Sequence, residues 1–305
     1  MKKSNTINIR SLSEIHRDHD LPAPQHPLIS LINWPKNRIP ENKFEGSVLS
    51  NFYRISFGIG LSGLSKYGQC HYDYAEGGMT FIAPNQIIGK CSYEFAEEWS
   101  MYTLLVHPDF LLTYPLAKKI KQYGFFSYNT NEALHLSEKE KITIATILKE
   151  IEDELNNRID DLSQDVIVSQ IELLLTYANR FYKRQFITRK AINSNLLQEL
   201  EDILDNYLSS GRTLNEGTIT VQFLADKMNV SPSYLSDMVR SLTGQNALTF
   251  IHQKVIEAAK EKLSTTTLSV SEIAYELGFG HPSSFTKLFK AKTNLSPLDF
   301  RKSFN

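Results

Sequence analysis

A chain of 305 residues, 41% hydrophobic and 22% charged, is long enough for two domains with real cores and has the composition of a soluble globular protein. Its net charge of −1 gives no hint of nucleic-acid binding by itself, its two cysteines exclude a disulfide framework, and no stretch approaches the ~18 apolar residues of a membrane span. Met1–Arg10 carries two lysines with no apolar run behind them, which excludes a secretory signal; the chain is read as cytoplasmic, with Cys70 and Cys91 as reduced thiols.

Residues 1–30 are polar and rich in proline and histidine, with Pro22, Pro24 and Pro27 close together, and are expected to form an extended N-terminal arm. From about 44 to 107 the pattern is one of short strands. Phe52–Phe57 alternates, with Tyr53, Ile55 and Phe57 on one face, and Gly58, Gly60, Gly63 and Gly68 punctuate the next stretch of chain. Gln69–Tyr74, Gly78–Ala83 and Met101–Val106 are further strands, with turns at Glu76–Gly78 and Pro84–Asn85. Such a region makes a small antiparallel barrel or sandwich. Tyr53, Ile55, Phe57, Tyr72, Tyr74, Phe81 and Tyr102 then point inward, where they either line an effector pocket or fill the space completely. Arg54 falls on the opposite face, opposite either an acid on a neighbouring strand or an anionic effector.

At Pro108 the period changes to that of helices, the first expected over Phe110–Tyr123. Ser137-Glu138-Lys139-Glu140 is a capping box, and it opens a helix over 137–160 with Ile144, Ile147, Leu148, Ile151 and Leu155 on one stripe. The next helix, 163–184, carries Val166, Ile167, Ile171, Leu174, Leu175 and Ala178. This pair holds more apolar surface than one small barrel face needs, which leaves a homodimer contact and simple burial as alternatives. Residues 185–195 are read as a linker between a domain over 31–184 and a second over 196–305, which opens with a helix from Leu196 to Leu208.

The last third contains two alignable helix-turn-helix segments, 220–242 and 270–292. Val221 falls on Val270, Leu224 on Ile273, Ala225 on Ala274, Met228 on Leu277 and Val230 on Phe279. After one extra residue in the turn, Leu235 falls on Phe285, Met238 on Leu288, Val239 on Phe289 and Gly244 on Asn294. The second turn, Gly278-Phe279-Gly280, places glycines where positive φ is easy. Pro232 and Pro282 each suit a first helical position. A long helix, Leu248–Leu263, joins the two units. A helix entering the major groove presents short polar or long basic side chains from its N-terminal turns. The candidates are Ser233, Tyr234, Ser236, Asp237 and Arg240 on the first such helix, and His281, Ser283, Ser284, Lys287 and Lys290 on the second. Lys287 is the best candidate for a guanine or phosphate contact. Over 281–302 the local charge is +4, from Lys287, Lys290, Lys292, Arg301 and Lys302 against Asp299.

Ser271-Glu272-Ile273-Ala274-Tyr275-Glu276-Leu277-Gly278-Phe279, Ser284-Phe285-Thr286-Lys287-Leu288-Phe289-Lys290 and Leu295-Ser296-Pro297-Leu298-Asp299-Phe300-Arg301 closely resemble the DNA-binding domain of the AraC/XylS family of bacterial transcription regulators. The resemblance covers roughly 196–305. It implies two units reading successive major-groove segments of double-stranded promoter DNA, contact with RNA polymerase, and activation as the commoner mode. Asn294 stands where the family favours glycine, Lys254-Val255 where many relatives have Arg-Leu, and Asp237 is an acid that would face the groove. Asp237 either accepts from a cytosine amino group or salt-bridges to a neighbour.

The region around Tyr72-Asp73-Tyr74 and Gly78–Gln86 looks like the cupin-type regulatory domain of many family members. That resemblance implies a two-domain protein: an all-β cupin-like barrel that takes a small-molecule effector, trailing helices that form a homodimer, and an all-α double helix-turn-helix. His71 has no histidine two residues away and His107 stands alone, so no metal, cofactor or catalytic residue is expected. The competing readings are a cupin-type enzyme with an accessory helical domain and a protein–protein adaptor that uses the helical domain without DNA.

Overall fold

A computed structural model describes residues 6–34, 47–65, 70–74, 77–88, 91–129, 132–157, 160–188 and 190–303, and the chain divides between Gln185 and Phe186 into two units. The first unit begins with β1 (Thr6–Ile9), α1 (Leu12–Asp18) and β2 (Ile29–Asn33). The extended arm expected over residues 1–30 is therefore corrected: its described part holds a strand, a helix and the start of a second strand. Ser11 caps α1 by accepting from the Glu14 amide at 3.2 Å, and the Glu14 carboxylate accepts in return from the amides of Arg10 and Ser11. This start signal sits among polar residues and ahead of the prolines, and it turns Leu12, Ile15 and His16 into the interior.

The next strands are β3 (Ser47–Ser50), β4 (Tyr53–Ser65), β5 (Cys70–Tyr74), β6 (Gly78–Ile82), β7 (Ile87–Ile88), β8 (Cys91–Val106) and β9 (Leu134–His135). An antiparallel sheet of six strands has the order β2-β8-β4-β6-β9, with β5 also paired to β4. A second sheet has the order β1-β3-β7, its β1–β3 pair parallel. The cupin-like barrel is also corrected. Closure needs the edge strands to pair with each other, whereas among the described residues β2 pairs with β8 and β9 with β6, leaving an open sheet.

Register decides which side chains share a face. Ile55 lies opposite both Phe81 and Leu104, and Phe57 opposite Met79 and Tyr102. This face carries aromatic packing: Tyr53 lies 5.1 Å from Phe126, and Phe81 lies 4.5 Å from Phe125 and 6.1 Å from Tyr182. The other face contributes Ile32, Met101 and Leu105 to a cluster with Ile9, Leu12, Val48 and Phe52 from the second sheet and its surroundings. Thr103 is buried there, and its hydroxyl accepts from the Trp34 indole at 2.9 Å. Cys70 and Cys91 both pair with Ser65, from opposite sides of β4. They are two strand spacings apart, roughly 9.6 Å, too far for a disulfide.

The helix expected over Phe110–Tyr123 is interrupted. It consists of a 3₁₀ turn at Pro108–Leu111, α2 (Leu116–Lys119) and a second 3₁₀ turn at Ile120–Gln122, with a third close behind at Gly124–Ser127. Pro115 has no amide hydrogen to continue a helix through this point. α3 (Glu138–Asn156) buries Ile144, Ile147, Leu148, Ile151 and Leu155. α4 (Ser163–Thr188) buries Ile167, Ile171, Leu174, Leu175 and Ala178, whereas Val166 is 43% exposed. Arg184 ties α4 to α3 and β9, donating to both Glu140 carboxylate oxygens and to the His135 carbonyl.

The expected linker over 185–195 is largely helical, because α4 runs to Thr188 and α5 (Lys190–Ser209) begins two residues later. That segment is polar but holds neither glycine nor proline, so nothing in it breaks a helix. The second unit is all helical: α5, α6 (Thr213–Glu216), α7 (Val221–Lys227), α8 (Pro232–Thr243), α9 (Ala247–Thr265), α10 (Val270–Glu276), α11 (Pro282–Thr293) and α12 (Pro297–Lys302). α9 is its axis. It buries Ala247, Phe250, Ile251, Val255, Ile256, Ala259 and Leu263 and touches α5, α8, α10, α11 and α12. Among the described residues no helix is long and apolar enough to cross a membrane.

Candidate nucleic-acid interface

The two helix-turn-helix units repeat each other down to single hydrogen bonds. Thr220 caps α7 by accepting from the Phe223 amide at 3.1 Å, and Ser269 caps α10 by accepting from the Glu272 amide at 3.2 Å. Glu272 accepts back from the Ser269 amide at 2.7 Å, and that bond holds its carboxyl below the ordinary carboxylate range. Both helices end in the same left-handed cap. Val230 donates to the Ala225 carbonyl and Phe279 to Ala274, at 3.0 and 2.9 Å. The residue before each donor has positive φ, 54° at Asn229 and 85° at Gly278. Gly280, also expected to use this freedom, does not.

The extra residue enters the second turn, so the next N-caps are Ser231 and His281. Ser231 accepts from the Tyr234 amide at 3.1 Å, while the His281 side chain makes no cap bond. α8 and α11 then stop alike, at Gly244 with φ 75° and at Asn294 with φ 60°. Asn294 thus takes at the end of α11 the left-handed position that Gly244 takes at the end of α8.

The two recognition candidates differ in what they expose. On α8, Arg240 is exposed and Ser233, Ser236 and Asp237 are half-buried, with the Ser236 hydroxyl donating to the Pro232 carbonyl at 2.7 Å. Tyr234 is a correction. It lies one helical turn before Met238 on the inward stripe, is 9% exposed, and meets Phe186 edge-on at 5.1 Å. His281 at the N-cap of α11 and Ser283, Ser284, Lys287 and Lys290 on it are all exposed. Beneath them Phe285 and Phe289 are fully buried, while Leu288, aligned on the buried Met238, is half-buried. Lys254 pairs with Glu201 at 3.0 Å and Lys262 with Glu276 at 2.8 Å, but among the described residues Lys287 and Lys290 have no ion-pair partner. Arg301 leaves the basic patch. Its Nε donates to the Leu263 carbonyl at 3.2 Å, closing the end of α9.

In the first unit, Tyr53, Ile55, Phe57 and Phe81 are buried and Tyr102 is half-buried, and the side chains of Tyr72 and Tyr74 lie outside the described residues. Tyr53 and Phe81 pack against the aromatic rings of Phe125, Phe126 and Tyr182. The space touched by Phe81, Phe125, Tyr128 and Tyr182 is about 20 Å³, about enough for one water. A cavity of about 340 Å³ lies elsewhere, lined by Leu21, Pro22, Pro24, Ile29, Asn33, Glu152 and Leu155 among others. Its walls come from the folded arm and the end of α3, which no sequence pattern brings together. Glu152 and Asn33 meet there at 3.5 Å, and Asn33 also donates to the Tyr102 hydroxyl at 3.1 Å. Burial and the Glu152 charge push the Tyr102 phenol up. Among the described residues no three His, Cys, Asp or Glu side chains gather as a metal site.

Two capped helix pairs arranged on one axial helix define a double helix-turn-helix domain. Residues 224–303 match the family model described as a helix-turn-helix domain. Similar curated proteins include the uncharacterized HTH-type transcriptional regulator YfiF of Bacillus subtilis, 32% identical over 146 residues, which are 48% of this chain and 43% of that one. Another is the HTH-type transcriptional regulator AlkR of Acinetobacter baylyi, 27% identical over 32% of each chain. The matches thus span less than half the length of either relative. Among solved structures, the C-terminal domain of the two-component response regulator yesN from Fusobacterium nucleatum is 29% identical, covering 35% of this chain and 98% of that one with a TM-score of 0.31. The C-terminal unit therefore carries a helix-turn-helix domain similar to those of these transcriptional regulators.

Proposed function

We propose that this protein is a sequence-specific DNA-binding transcription regulator of the AraC type, acting in the cytoplasm and without catalysis of its own. The observation that carries the reading is the duplication: two units matched in their caps and turns, each offering the N-terminal turns of a second helix. Ser233, Ser236, Asp237 and Arg240 of α8 and His281, Ser283, Ser284, Lys287 and Lys290 of α11 then meet double-stranded promoter DNA. The exposed charges of Lys287 and Lys290 suit phosphate or guanine.

The first unit receives the signal. Its 340 Å³ cavity is of a size for a small-molecule effector. Exposed Leu162, Val166 and Leu173 lie at the start of α4 and along it, and suit a homodimer contact through the helices at 137–160 and 163–184. Effector binding favours one domain arrangement or oligomeric state, and so activates transcription by changing DNA affinity or contact with RNA polymerase. Sequencing the genomic fragments retained by the purified chain at two salt concentrations tests this. One motif is expected, with two half-elements about a helical turn apart and retention that falls with salt. If neither the full chain nor its C-terminal unit enriches any motif, the reading is wrong.

A further inference from the structure

Between α5 and α7 the chain makes a detour, residues 210–219, that buries Thr213 and Ile219. Thr213, at the start of α6, is 1% exposed, and its hydroxyl donates at 2.5 Å to the Glu276 carbonyl in the last turn of α10. α6 ends at Gly217 with φ 82° and ψ −159°, a conformation that side chains with a Cβ do not adopt. The Tyr207 hydroxyl of α5 donates to the Gly217 carbonyl at 3.0 Å. Gly278, in the turn of the second unit, faces the same point. A Cβ there would lie 2.5 Å from the Gly217 carbonyl carbon and oxygen and 2.8 Å from the Thr218 nitrogen. Two glycines thus let two backbones touch. The detour leads straight into the Thr220 cap of α7, and the Tyr207 ring packs 5.0 Å from Phe223 of that helix.

We infer that residues 210–219 are a strap that sets the angle and separation of α8 and α11. α9 joins the two units as a single rod, and one attachment leaves a torsional freedom that a second removes. The strap is that second attachment, made at the turn of the second unit and the last turn of α10. Thr213, Gly217, Tyr207 and Gly278 are positioning residues and touch no DNA. For function, which rests on the DNA-binding reading above, the consequence is that the domain accepts one spacing of half-elements and rejects its neighbours.

The strap is tested first without DNA. In the full chain with Cys70→Ser and Cys91→Ser, nitroxide labels placed through Arg240→Cys and Ala291→Cys report the α8–α11 distance by pulsed electron resonance. A single narrow distribution is expected. It broadens with Thr213→Val, broadens with the milder Tyr207→Phe, and narrows again with Thr213→Ser. An unchanged width in both Thr213→Val and Tyr207→Phe, each with wild-type circular dichroism, overturns the strap. On the selected operator, moving the half-elements one base pair apart costs the wild type about tenfold in affinity, and much less in Thr213→Val. Equal losses in the two proteins overturn the spacing consequence. Broadening by label without any enriched motif leaves the strap standing and removes the DNA-binding reading instead.

Discussion

Single residues carry two expectations that separate reading from holding. Lys287 is exposed on α11 and has no acidic partner among the described residues, so its charge is available to DNA. Lys287→Ala is expected to weaken binding at the cognate site by about 1–3 kcal/mol and to relax one base position if it reads guanine. If it neutralises a phosphate, the loss is instead uniform over sequences and the salt slope falls by about one contact. Unchanged affinity in a titration at fixed salt removes Lys287 from the interface. Asn294 tests the fold. At φ 60° it ends α11 in the left-handed region, which costs a residue with an ordinary Cβ about 1–2 kcal/mol. Asn294→Ala is expected to lower denaturant stability by about 1 kcal/mol, and Asn294→Gly to match or exceed the native protein. Both positions are visible in the sequence. The burial of Tyr234 was not, because an aromatic residue in the first turn of α8 fits either face until its neighbour Phe186 is placed.

Helix ends govern the elements. α10 has seven residues, too few to persist alone, and it is held by the reciprocal Ser269–Glu272 cap and by burial of Ile273 and Ala274. Ser269→Ala is expected to cost about 0.5–2 kcal/mol. The Glu272 carboxyl titrates below its unfolded value, so its contribution is complete above that value and is lost as pH falls through the folded one. The thermal stabilities of the native protein and Glu272→Gln should therefore converge in acid and stay apart at neutral pH. A constant gap would show that the carboxylate charge does not matter to the cap. Much at this scale was legible in advance: α7, α8, α10 and α11 lie where the duplicated pattern puts them. The breaks near Pro115 and the start at Ser11 were not, because a single proline or cap competes with a longer composition signal that points elsewhere.

For the whole molecule, the division at Gln185 and Phe186 makes a direct prediction. Deleting residues 1–185 should leave a folded, cooperative helical domain, since α9 gathers its core from α5, α8, α10, α11 and α12. Loss of cooperative unfolding in that fragment would show that the first unit completes the second. Because α5 begins at Lys190, truncations should begin before it and not within it.

What the sequence determined by itself is the part that depends on local periodicity: two repeated helix pairs, their caps, the αL residues that end them and the polar face of α11. Those features arise from residues three or four positions apart, which a linear pattern records, although it misplaced Gly280. What only the tertiary structure decided rests on distant pairings. Sheet closure, the side of α8 that Tyr234 occupies, the fate of Arg301 and the meeting of Gly217 with Gly278 each join segments far apart in the chain. A strand of alternating residues is equally suited to a barrel or an open sheet, and which one forms is set by where its edge strands find partners.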